Sequence, residues 1–221
     1  FKVACVIVEA NELGGILIRW DGNDGRAWDL FVRVGAFSSL RKPPGQVDSM
    51  LEIRGDRFVG ADVWLWRADH DIYGQVYDSK NFVRDGLRVS SDDATFFGLA
   101  VEHATRYQTI WTGDGGTVYF YQAELPYDAP PSFNASGYYV TGERHRAYGV
   151  GVYSYFRDSP NISLPSAIDV SPGTFLHSPF AVWLDGQPST VIQHVVNDFG
   201  GPVCAQDTVQ HICGPLHIPF E

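Results

Sequence analysis

The chain is poor in methionine, lysine and cysteine, with one Met and three Cys in 221 residues. It also lacks any block of basic residues, and its formal net charge is −10. Binding a phosphate backbone needs a basic footprint, so nucleic acid is excluded as a partner. No apolar run approaches the roughly 18 residues of a membrane span, so no membrane partner is expected either. No convincing amphipathic helix exceeds about two turns. There is no Gly-x-Ser-x-Gly elbow. The glycine-rich stretch Thr112-Gly113-Asp114-Gly115-Gly116 lacks the Lys-Ser/Thr of a phosphate loop and reads as a turn.

What the chain does have is glycine (23), proline (13), 14% aromatic and 44% hydrophobic residues. That balance describes a globular chain, one large domain or at most two small ones, built from β-structure with many turns. Short β-rich runs ending in turns recur along it, among them DVWLWRAD, TFFGLAVE, TVYFYQAE and GYYVTG. The opening FKVACVIVEA alternates as a strand and does not read as a signal peptide. Because it begins inside apparent folded structure, an upstream portion is expected, either absent or carried on another polypeptide. Cys204 and Cys213 are close enough in sequence to close a small disulfide loop between Pro202 and Gly214. Cys5 is then the odd one, a free thiol or the link to the upstream part. Two sequons, Asn134-Ala-Ser136 and Asn161-Ile-Ser163, sit in turn-rich segments as glycosylation candidates. With the cysteine pair they predict a secreted, extracellular protein.

Regular short strands fit a sandwich, a barrel or a parallel β-helix. Glu102 and Glu124 are 22 residues apart, with one strand and a turn between them. One β-helix coil takes about that many residues and rises by about 4.8 Å, which would set the two side by side on one face. Asp69 precedes Glu102 by 33 residues, one coil plus an inserted loop.

Two carboxylates roughly 5 Å apart cannot both ionise freely, so one pKa rises. A carboxylic acid beside an aromatic wall is what glycosidic-bond cleavage requires, and Trp64, Trp66, Trp111 and Tyr127 lie near the acids in sequence. The bland alternative is core aromatics and solvated charges at strand ends. Asp69-His70-Asp71 offers metal-type ligands, but no second His or Cys stands at a ligand spacing, so neither metal nor cofactor is called for. His103, beside Glu102, suits an orienting or packing role better than that of a base.

WLWRADH (64–70), GLAVEHATRYQTIWTGDGGTVYFYQAELPYD (98–128), GVGVYSYF (149–156) and HVVND (194–198) resemble the second half of glycoside hydrolase family 55, the exo-β-1,3-glucanases or laminarinases. The likeness runs from about Asp29 to about Val203 and outweighs the bland alternative. It implies an all-β fold, a right-handed single-stranded parallel β-helix of pectate-lyase type, forming one half of a two-helix architecture. Residues 1–203 form that C-terminal helix, and 204–221 form a tail with the disulfide loop. It further implies hydrolysis of β-1,3-glucan from chain ends with inversion. Glu124 matches the general acid. Glu102 and Asp69 match acids of the same subsite, and Trp66 and Tyr127 match ring contacts to the sugar. Glu102 is expected to position water or tune charge, and Asp69 to accept a sugar hydroxyl. The family's N-terminal helix, which helps hold the attacking water, is not in this sequence and is the expected protein partner. Rival readings are a non-catalytic glucan-binding β-helix and, more distantly, a polysaccharide lyase.

Overall fold

The computed structural model describes residues 6–8, 15–35, 45–71, 74–76 and 80–220. Cys5 lies outside them. The described residues form a parallel β-helix whose coils alternate between two sheets. One sheet, of ten strands, runs through Arg26–Val34, Val59–Arg67, Thr95–Glu102, Thr117–Glu124 and Arg146–Ser154. The other, of eight, runs through Ile16–Trp20, Gln46–Ile53, Phe82–Val89, Thr109–Trp111, Tyr138–Val140 and Ser163–Val170. Each coil therefore contributes one strand to each sheet, and all of these neighbours pair in parallel.

Stacking coils brings like residues together inside. Val32, Leu65, Val101, Ala123 and Val152 stand in register, all fully buried between the sheets. Each large aliphatic side chain so placed contributes roughly 1.5–3 kcal/mol. The turn of each coil is pinned to the next by a side-chain ladder. Asn23 Oδ1 accepts the Asp56 amide (2.9 Å), Asp56 that of Asp92 (3.1 Å), Asp92 that of Asp114 (2.8 Å) and Asp114 that of Glu143 (2.8 Å). Thr112–Gly116 takes its place in this ladder as the expected turn.

A second column is decisive for the site. Asp62 (φ 53°), Gly98 (71°), Phe120 (62°) and Gly149 (66°) are left-handed residues stacked mid-strand, and the pairing register steps over each of them. Such a bulge adds one residue and resets the alternation. Phe96 and Leu99 both point inward although three residues apart, as do Val118 and Tyr121. Uninterrupted alternation from Phe96 and Val118 would turn Glu102 and Glu124 into the core. The bulge turns them out.

The segment after 203 is folded onto the last coils and not detached from them. Val209–His211 pairs antiparallel with Phe180–Trp183, and Pro215–His217 with Phe175–His177. The expected disulfide is not formed: Cys204 and Cys213 are both free. Cys204 ends a strand on the eight-stranded sheet, opposite Val191, whereas Cys213 follows the strand paired with the ten-stranded sheet. Cys204 Sγ instead donates to Gln206 Oε1 (3.3 Å), and Cys213 Sγ contacts His211 Nδ1 (3.4 Å). The sequon residues Asn134 and Asn161 are both exposed.

Candidate active site

Beyond the bulge column, the outward residues of the ten-stranded sheet form a register row: Arg33, Trp66, Glu102, Glu124 and Tyr153. Glu102 and Glu124 are direct neighbours on adjacent strands, as their 22-residue spacing predicts. Gln122 Nε2 donates to Glu102 Oε1 (2.9 Å), and the Tyr127 hydroxyl donates to Glu124 Oε1 (2.6 Å). Asp69 reaches the pair from the loop after Val59–Arg67. It hydrogen-bonds His70 Nδ1 at 3.2 Å and lies 3.6 Å from His103 Nε2, which is in turn 3.9 Å from Glu124 Oε2. His103 is buried and left-handed (φ 66°), and its amide donates to the Glu124 carbonyl (2.8 Å). It orients the strand ends.

The electrostatics follow from burial. Loss of water around Glu102 raises its carboxyl to about 7; the negative charges of Glu124 and Asp69 add to the rise, against hydrogen bonds from Trp64 and Gln122. Glu124 is likewise raised, by burial first and the Asp69 charge second, with the Tyr127 hydrogen bond opposing. Burial pushes His103 down and keeps it neutral. Tyr127 is raised by burial and by its bond to Glu124, so it stays a donor. Near neutral pH this cluster holds a proton on a carboxyl in a partly dehydrated groove. Glu102, His103 and Glu124 also form the group with metal-ligand proximity, their ligand atoms lying within 4.8 Å of one another. The donors already present, Gln122 and Tyr127, suit a carboxyl pair without an ion.

The aromatic wall differs from the sequence reading. Trp66 is only 7% exposed, its ring packed by Trp64 (5.6 Å), His70 (5.2 Å) and the Arg33 guanidinium (4.6 Å). Trp111 is fully buried in the other sheet, against Phe96 and His145, and is not part of the site. The open rings beside Glu102 are Trp64, 41% exposed, and Phe120, 66% exposed. With Glu102 and Gln122 they bound a cavity of about 480 Å³. Trp64 lies one alternation before Trp66 and was legible as outward-facing. Phe120 was legible only by aligning the coils, where it stands between Gly98 and Gly149.

The model of the LAM55 pectate lyase-like domain matches residues 18–124, which include Asp69, Glu102 and Glu124. The chain is a parallel β-helix similar over these residues to the LAM55 pectate lyase-like domain. An exo-beta-1,3-glucanase of Streptomyces sp. (strain SirexAA-E / ActE) is 29% identical over 230 residues, covering 94% of this chain and 36% of that protein. The solved structure of sacteLam55A from Streptomyces sp. SirexAA-E superposes with a TM-score of 0.81 at 28% identity, over 94% of this chain and 40% of that one. A glutamate-to-alanine variant of sacteLam55A in complex with glucose matches equally well, at 27% identity with the same TM-score and coverage. The chain thus spans well under half the length of the relatives it matches.

Proposed function

We propose that this β-helix carries the acid side of a site that removes glucose from the ends of β-1,3-glucan, in a protein completed by a second, N-terminal β-helix. The observation that carries the reading is the register pairing of Glu102 with Glu124, both raised, beside the cavity walled by Trp64 and Phe120. The solved relative in complex with glucose supports the substrate class.

In this reading Glu124 protonates the glycosidic oxygen as the C1–O bond breaks. Tyr127 holds its carboxyl in place. A water attacks C1 from the opposite face and passes its proton to a base, inverting the anomeric centre. Strand neighbours stand about 4.8 Å apart, less than the roughly 6.5–9.5 Å that an inverting pair needs to seat that water. Glu102 is therefore not the base. Protonated up to about pH 7, it keeps a second negative charge away from Glu124 and offers a hydrogen bond to water or sugar. Asp69 accepts a sugar hydroxyl, Trp64 and Phe120 offer ring surface, and the base comes from the second helix. The exposed sequons Asn134 and Asn161 fit secretion, although the free thiols at Cys204 and Cys213 remove one argument for it.

The test is glucose release from laminarin by the complete protein and its Glu124→Gln variant, with the product anomer read by NMR. Loss of about 10²–10⁴-fold in the variant, with α-glucose as first product of the parent, is expected. Undiminished release by the variant would overturn the assignment. Glucan binding without release by the parent would make the chain a binding module.

A further inference from the structure

We propose that Arg67 is the positioning residue of this site: one guanidinium, pointing into the helix, sets the spacing of the strand ends that carry Asp69, Glu102 and Glu124. The inference rests on the glucan-hydrolysing reading above and adds what holds its acids in place.

Along Val59–Arg67 the side chains alternate, so Arg67 follows outward Trp66 and turns inward, in register with buried Val34. It is 1% exposed. An arginine loses its hydration there, and a well-packed apolar side chain of similar volume is often as stabilising at such a place or more so. Its contacts show what the charge does instead. Nη1 and Nη2 donate to Asp128 Oδ1 and Oδ2 (2.7 and 2.8 Å), Nη1 to the His103 carbonyl (3.2 Å), Nη2 to the Lys80 carbonyl (2.7 Å) and Nε to the Asn81 carbonyl (3.0 Å).

Two of these partners adjoin functional residues. His103 follows Glu102, and Asp128 follows Tyr127, which holds Glu124. Asp69 lies two residues beyond Arg67 itself. A planar fork with two fixed donor directions thereby clamps three successive coils at the end of the sheet where the acids emerge. Lysine, a point charge on a flexible stem, cannot hold these directions at once. Misplacement of a reacting group by 1 Å can cost about a hundredfold in rate.

The experiment compares Arg67→Lys and Asp128→Asn in the complete protein. It reads kcat and KM on laminarin oligosaccharides, and carboxyl ¹³C titrations of Glu102 and Glu124. The charged and titratable groups around this pair are Asp69, His70, His103, Tyr127 and Tyr153, with Arg33 and Arg157 on the flanks. A folded Arg67→Lys protein is expected to lose about a hundredfold in kcat with KM little changed. Its Glu102 midpoint falls towards the ordinary carboxylate range as the strand ends separate and water enters. Asp128→Asn, which leaves Arg67 on its three carbonyls, shows the same changes in smaller measure and decides the matter if the lysine variant does not fold. Lowered melting temperature with unchanged kcat and unchanged titration would overturn the proposal, because a merely structural arginine would give that result. If the parent protein releases no glucose, the functional reading fails, and the titrations alone judge Arg67.

Discussion

Two clusters of carboxylates lie on this β-helix, one on each sheet, and they are treated in opposite ways. On the eight-stranded sheet, Asp48, Glu52 and Asp85 are met by arginines. Arg88 donates to all three, Arg54 and Arg19 to Glu52, Arg84 to Asp48, and Arg106 to Asp85. Burial pushes Glu52 up, but the hydrogen bonds from Arg88, Arg54 and Arg19 outweigh it and hold the carboxyl below its usual range. On the ten-stranded sheet, Glu102 and Glu124 are met by an amide and a phenol, and both are raised. A cavity opens beside each cluster, about 200 Å³ beside Glu52 and about 480 Å³ beside Glu102. The first is edged by Arg54 and Arg88, the second by Trp64 and Phe120. Acids gather on both sheets, and what differs is compensation. Paired acids hold coils together; uncompensated ones keep a proton available.

The largest effect that separates the two clusters is on stability. Arg88→Met takes one cation from buried Glu52 and Asp85, which keep Arg19, Arg54 and Arg106, so the cost lies at the lower end of the about 3–5 kcal/mol of a broken buried pair. Thermal unfolding should show a fall of roughly 10 °C for a chain of this size. The surviving folded protein should keep the glucose-releasing turnover proposed for the complete protein.

The next effect is one of sign. Glu102 has a raised folded value, so its contribution to stability is fully present below the ordinary carboxyl value of 4.5 and is lost as pH rises through about 7. The loss is about 3 kcal/mol. Glu52 behaves oppositely: its contribution is present above the ordinary value and is lost as pH falls through the lowered one. Denaturant titrations from pH 4 to 8 should therefore show Glu102→Gln reducing the decline towards neutral pH, with the part due to Glu124 remaining. Glu52→Gln should flatten only the acid side.

The smallest effect concerns the wall of the open cavity. Phe120 occupies a left-handed conformation that costs a non-glycine residue roughly 1–2 kcal/mol. It also leaves most of its ring in water. Phe120→Gly should leave stability within about 1 kcal/mol of the parent, since relieved strain offsets lost packing. Its KM for laminarin oligosaccharides should rise about two- to tenfold, the worth of one aromatic contact.

The pairing of Glu102 with Glu124 was legible because a coil has a nearly fixed length, and no insertion separates these two. The cluster on the eight-stranded sheet was not, since its members Glu52 and Arg88 are 36 residues apart and the inserted loop hides the period. Trp66 was matched to a sugar contact by the family resemblance, which does not say what covers the ring, and Arg33 comes from the preceding coil. Arg67 was unreadable as a clamp because its carboxylate partner lies 61 residues onward. The Cys204–Cys213 loop was plausible from spacing alone, and strand pairing with different sheets keeps the two apart.

The central claim is that only the uncompensated cluster does chemistry. It is tested most directly by measuring glucose release from laminarin for Glu124→Gln and Glu52→Gln side by side, each normalised to folded protein. The account predicts a loss of about 10²–10⁴-fold for Glu124→Gln and a change of less than about threefold for Glu52→Gln. Equal losses in both, or a loss confined to Glu52→Gln, would contradict it.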